Sequence, residues 1–118
     1  MTRLSVNLNK VALLRNQRET PYPDLIDTAG RVLGAGAHGI TVHPRPDERH
    51  VRFNDCPELK KIVTTEFNIE GYPSDHFLSM IEEVKPHQVT LVPDKPGALT
   101  SDHGWDTIQN KDFLKEVI

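Results

Sequence analysis

Between His43 and Arg52 the chain reads His-Pro-Arg-Pro-Asp-Glu-Arg-His-Val-Arg, which sets two imidazoles among three guanidiniums. An imidazole takes and gives protons near neutral pH, so His43 and His50 sit where proton transfer is chemically accessible. Glu70 adds a carboxylate whose proton affinity burial can raise towards the same range. Arg15, Arg18, Arg45 and Arg49 offer planar donor forks suited to a phosphate or a carboxylate. Asn7, Asn9 and Thr100 contribute neutral polar groups to the same set. An imidazole and a carboxylate beside basic groups point to acid–base chemistry on an anionic substrate.

Each residue also has a plainer reading. A strand-end histidine such as His43 is often a packed, hydrogen-bonded side chain, and Arg49 and Arg52 read as solvated loop charges. Glu70 is harder to dismiss, because a carboxylate on the inward side of a central strand is costly unless paired or functional. His43, His50 and Glu70 together offer three metal-ligand types, but their spacing matches no compact metal signature, and no metal is expected. Gly34-Ala35-Gly36 ends a helix rather than opening one, so it is no phosphate-cradling loop. His38, His76 and His87 fall away from strand C-termini and read as structural. Cys56 has no base beside it and reads as a quiet thiol.

These groups are positioned by alternating strands and helices. Leu4–Asn9 alternates as a strand with Leu4, Val6 and Leu8 on one face. A basic, irregular stretch follows, and then Pro23-Asp24 opens a helix with Leu25, Ile26, Ala29, Val32 and Leu33 at helical spacing. Gly39–His43 is a second strand, broken by Pro44 and Pro46. A short helix carries Leu59 and Ile62, and Thr65–Glu70 is a third strand ended by Gly71. Ser74 caps a helix with Phe77, Leu78, Ile81 and Val84, which stops before Pro86. His87–Val92 is a fourth strand, Asp94–Gly104 a polar loop, and helical character returns in the last residues.

Strand–helix alternation predicts an α/β fold with a parallel sheet. In a doubly wound sheet, both faces of the central strands meet helices and are apolar. Here Ser5, Asn7 and Asn9, then Glu66, Asn68 and Glu70, share one parity. That favours a (β/α)₈ barrel with polar groups inside and apolar groups facing the outer helices. Such a barrel takes eight units in about 250 residues. Residues 1–118 supply four, the expected first half of one barrel domain. Ligands of both folds bind at strand C-termini, where His43, Arg45, Glu70 and the Thr100 loop fall.

The 118 residues carry a formal charge of −3, with 36% hydrophobic and 26% charged side chains. Mild acidity argues against nucleic acid as an obligate partner. No stretch approaches the roughly 18 apolar residues of a membrane helix. One cysteine excludes an internal disulfide framework and, with no signal-like start, leads to the expectation of a cytoplasmic protein.

Four segments resemble the pyridoxine 5′-phosphate synthase family: SVNLNKVALLRNQR from Ser5, GITVHPRPDERH from Gly39, TTEFNIEGYP from Thr64, and KPHQVTLVPDKPGALTSDHGWD from Lys85. The resemblance runs along nearly the whole chain, and its second and fourth segments are specific. It implies a (β/α)₈ barrel that condenses 1-deoxy-D-xylulose 5-phosphate with 3-amino-2-oxopropyl phosphate, releasing phosphate and water. By position, His43 and Glu70 match the family's general bases. Asn7 and Arg18 match residues that hold the aminoketone phosphate. Arg45, His50 and Thr100 match residues that hold the deoxyxylulose phosphate, with the loop around Thr100 closing over the site. No metal or organic cofactor is implied, and members form homo-oligomers.

Asn9-Lys10 stands where many members have Asp-His. An amide does not take a proton as a carboxylate does, while Lys10 still offers a phosphate its charge. The family's general-acid histidine belongs to the later half of the barrel and has no counterpart here. These 118 residues alone are therefore expected to be inactive, the complete enzyme being the active species. Two rival readings are an inactive half-barrel that serves as a binding or assembly module, and another phosphate-handling barrel such as an aldolase or a metal-dependent hydrolase.

Overall fold

The structure, a computed structural model, describes residues 1–118. Four strands, β1 (Ser5–Asn7), β2 (Gly39–Val42), β3 (Glu66–Gly71) and β4 (Gln88–Leu91), form one sheet in the order β1-β2-β3-β4. All three pairings are parallel. Between them run α1 (Asn9–Asn16), α2 (Leu25–Gly34), α3 (Asp55–Ile62) and α4 (Asp75–Val84), and α5 (Lys111–Val117) follows β4. Sequential parallel strands with no reversal of order lack the switch point that defines a doubly wound sheet. No helix is long and apolar enough to cross a membrane.

The register explains the two faces. Ile40 pairs with Phe67, and Val42 with Ile69, so these apolar side chains share one parity. They are fully buried against Leu25 and Ala29 of α2, Cys56 and Leu59 of α3, and Phe77, Met80 and Val84 of α4. The opposite parity carries Ser5, Thr41, Asn68 and Thr90, joined in a row. Ser5 Oγ lies 2.7 Å from Thr41 Oγ1, Asn68 Nδ2 donates to Thr41 Oγ1 at 3.5 Å, and Thr90 Oγ1 donates to Asn68 Oδ1 at 3.0 Å. One side of the sheet is thus a hydrocarbon core and the other a ladder of polar side chains.

Local signals set most element ends. Asp24 caps α2 by accepting the Asp27 N–H at 2.8 Å, and Ser74 caps α4 by accepting the Phe77 N–H at 3.3 Å. Gly36, at φ +102°, turns the chain out of α2. Gly71 belongs to β3 rather than ending it. A Cβ there would collide with the Phe77 ring, so glycine lets α4 close onto the sheet.

The first unit departs from the expectation. β1 stops at Asn7 rather than Asn9, and the stretch read as irregular is the helix α1. Only Ala12 of this helix is buried and Leu14 is largely exposed, so the apolar periodicity is faint. What holds α1 is at its two ends. Leu8 donates its N–H to Thr41 O at 3.1 Å while its side chain enters the core. Arg15 and Asn16 bond to residues 48–55.

Candidate functional site

The chemistry-bearing residues gather at the C-terminal ends of β1, β2 and β3, and in the loops that follow. At the end of β1, Asn7 Oδ1 accepts the Asn9 N–H at 2.8 Å, turning the chain into α1. Asn9 Oδ1 in turn accepts the His43 N–H at 2.9 Å. Beyond β2, Pro44 and Pro46 restrict the backbone on either side of Arg45. His43 is 4% exposed, and its ring centroid lies 6.3 Å from that of His50.

His50 Nδ1 accepts the Val51 N–H at 2.9 Å, which leaves Nε2 as the ring nitrogen without a hydrogen-bond partner. The loop holding His50 is carried by the end of α1. Asn16 Nδ2 donates to His50 O at 2.7 Å, and Arg15 grips Asp55 through two bonds of 2.8 Å. Arg15 is therefore committed to a structural ion pair rather than free to meet an anion.

Burial, then the charge of Arg45, lowers both imidazoles from 6.5 to about 4. Both are neutral at pH 7 and able to accept a proton. Glu70 moves the other way: burial raises its proton affinity, Arg45 opposes this, and Asp94 adds to it. A carboxylate in that state is a stronger base than an exposed one and is more readily protonated.

Arg45 is the charge common to all three. Its guanidinium pairs with Asp94 at 3.0 Å, with 9% and 4% of the two side chains exposed. Arg49, read from sequence as a solvated charge, instead donates to the carbonyls of Ala98 and Leu99 at 2.6 and 2.7 Å. Two strand-end loops are thereby tied together. The signal for this, an arginine near a proline-bounded loop about fifty residues on, is too diffuse to read in a linear sequence.

Two cavities share the Arg45 and Arg49 wall. One, of about 250 Å³, is lined by His43, Tyr72, Asp94 and Lys95 besides the arginines. The other, of about 330 Å³, is lined by Asn9, Lys10, His50 and Thr100. The second gathers two guanidiniums, an ammonium, an imidazole and a hydroxyl, which is a donor set for a phosphate. Arg18 stands apart in a separate groove with Arg15, Arg52, Asp55 and Glu58. Asn7 is exposed at the end of β1, on the parity shared with Thr41 and Asn68. Cys56 is buried in the core with its thiol pushed up to about 12 by burial, as expected of an unreactive cysteine.

The family model described as "Pyridoxal phosphate biosynthesis protein PdxJ" matches residues 4–118. Proteins called pyridoxine 5′-phosphate synthase from Christiangramia forsetii and Flavobacterium johnsoniae are each 58% identical over all 118 residues, covering 50% of their own lengths. One of the same name from a Chelativorans species is 53% identical over 98% of the chain and 49% of its own length. The chain spans about half the length of the curated relatives it matches.

Proposed function

The chain belongs to the PdxJ family of pyridoxal phosphate biosynthesis proteins, and from that premise we propose that it is part of a pyridoxine 5′-phosphate synthase. The reaction joins 1-deoxy-D-xylulose 5-phosphate to 3-amino-2-oxopropyl phosphate and releases phosphate and water. The observation that carries the reading is the grouping of neutral His43, Glu70 and the Arg45–Asp94 pair at adjoining strand ends, beside an arginine-walled cavity.

Ring closure between an amino ketone and a sugar phosphate passes through imine formation, loss of water and phosphate, and carbon–carbon bond formation. Every step moves a proton, so groups that alternate as acid and base are needed. His43 accepts protons as a neutral imidazole. Glu70, with its raised affinity, takes a proton and returns it. The deoxyxylulose phosphate sits against Arg45, His50, Thr100 and Lys10. Asn9 holds the His43 backbone, a task that an amide oxygen performs as well as a carboxylate. Asn7 and Arg18 serve the aminoketone phosphate, which requires Arg18 to leave its present groove or a second groove to approach it.

The four units form half of a (β/α)₈ barrel in this reading. Strands in sequential order, helices packed on one face and a polar opposite face all support it. The polar row Ser5–Thr41–Asn68–Thr90 then lines the interior.

The test is expression of the complete reading frame, incubation with both substrates, and parallel measurement of pyridoxine 5′-phosphate and inorganic phosphate. Equimolar appearance of the two is expected. Product formation from neither substrate pair nor lysate-supplied substrates would sink the reading.

A further inference from the structure

Asp94 follows β4 by three residues, is 6% exposed, and belongs to no role assigned so far. Its Oδ2 receives the Arg45 guanidinium at 3.0 Å and the Ser101 hydroxyl at 2.5 Å. One carboxylate oxygen thus joins the loop after β2 to the middle of the segment between β4 and α5. Arg45 reaches the same segment through long contacts, 3.5 Å to Ala98 O and 3.4 Å to Ser101 Oγ. Arg49 closes the arrangement on the Ala98 and Leu99 carbonyls. This brings Thr100 to the cavity of Lys10 and His50.

We infer that Asp94 is a positioning residue, which fixes the Arg45 guanidinium above the strand ends and, through Ser101, clasps the 94–101 loop onto the cavity that takes the deoxyxylulose phosphate. A buried guanidinium needs such a partner, since removing one member of a buried pair leaves an uncompensated charge. That charge would stand beside His43 and Glu70. His43 faces Arg45, Asp94, His50 and Arg49, and Glu70 faces Arg45 and Asp94. Burial dominates at both groups; Arg45 lowers the proton affinity of each, and Asp94 raises it. Loss of the Asp94 charge therefore leaves both proposed bases with lower proton affinity.

The kinetic part of this inference rests on the synthase reading, and the loop part does not. Asp94→Asn in the protein expressed from its complete reading frame keeps the size of the side chain and removes its charge. The acid limb of kcat/KM, which reports groups of the free enzyme, moves to lower pH. kcat falls about tenfold or more through misplaced groups, while KM for 3-amino-2-oxopropyl phosphate is unchanged. Asp94→Glu brings the limb back towards wild type.

Thermolysin cleavage at Ala98–Leu99, followed by mass spectrometry, reads the clasp directly, because Leu99 is 90% exposed. Cleavage is about tenfold faster in Asp94→Asn, as expected for losing a charge-assisted bond. It is also faster in Ser101→Ala, whose acid limb stays in place. Should Asp94→Asn fail to fold, Ser101→Ala and Asp94→Glu decide by the same two readings. A wild-type acid limb with wild-type cleavage overturns the inference. If the wild-type protein makes no product, the synthase reading falls, and cleavage alone decides the clasp: unchanged rates in the variants overturn it, and raised rates support it.

Discussion

At the N-terminal end of the sheet, His38 Nδ1 accepts the Leu4 N–H at 3.0 Å and His87 Nδ1 accepts the Phe67 N–H at 3.1 Å. At the C-terminal end, the His43 and His50 rings lie 6.3 Å apart among arginines and are held at about 4. The residue type is the same and the surroundings differ. A histidine just before a strand can turn its ring onto the neighbouring chain and add a rung to the ladder, as His38 does at Leu4, just before β1, and His87 on β3. A histidine just after a strand has left the ladder, so its ring enters the loops. There the His43 ring meets Arg45, Arg49 and Asp94, and the His50 ring bonds the N–H of the next residue, Val51, rather than a neighbouring strand. Stability is made at one end, and the proposed proton chemistry belongs to the other.

The sharpest way to test that division is at Glu70. Glu70→Gln keeps the shape of the side chain and removes the base. Turnover of the complete enzyme should fall at least about a hundredfold, with substrate binding largely intact and no loss of melting temperature. Undiminished turnover would show that the C-terminal end does not work as proposed.

The reciprocal change is His87→Ala, which removes the acceptor of the Phe67 N–H. It should cost about 1 kcal/mol by urea denaturation and leave turnover per folded molecule within about twofold. A large loss of turnover without loss of stability would erase the distinction between the two ends.

A third test is the pH dependence of stability. His43 and His50 are held below their ordinary 6.5, so the unfolded chain binds protons that the folded one refuses between about 4 and 6.5. Their contribution therefore makes stability fall as pH drops through that window. Glu70 has the opposite sign: with its affinity raised, the folded chain binds its proton more readily, and stability declines as pH rises through its raised value. Urea midpoints at pH 7 and pH 5 should differ less in the double variant His43→Gln, His50→Gln than in wild type. An identical difference would mean that the two imidazoles are not buried at a cost.

Much of this arrangement was legible in the chain. Alternation in Phe67–Glu70 separated apolar from polar faces, helical spacing from Leu25 to Leu33 marked α2, Pro23-Asp24 marked its start, and Ser74 announced α4 as a cap. The histidines fell on the correct sides of their strands as well. His38 and His87 read as structural because they fall away from strand C-termini, and their hydrogen bonds to neighbouring backbone agree with that.

Other features came only with the tertiary structure. The helix α1 has too faint a stripe to be read, because its ends rather than its face secure it. Arg15 and Arg49 looked equivalent, yet one is bound to Asp55, forty residues away, and the other to carbonyls at Ala98 and Leu99. Arg18 resembled its neighbours and lies in a groove separate from the Arg45 and Arg49 cavities, lined also by Arg15 and Asp55. Periodicity, caps and strand ends depend on residues within a turn or two, so the order of residues alone determines them. The partner of a long charged side chain depends on which loops the sheet brings side by side, and that is decided only when β1 to β4 are laid in register.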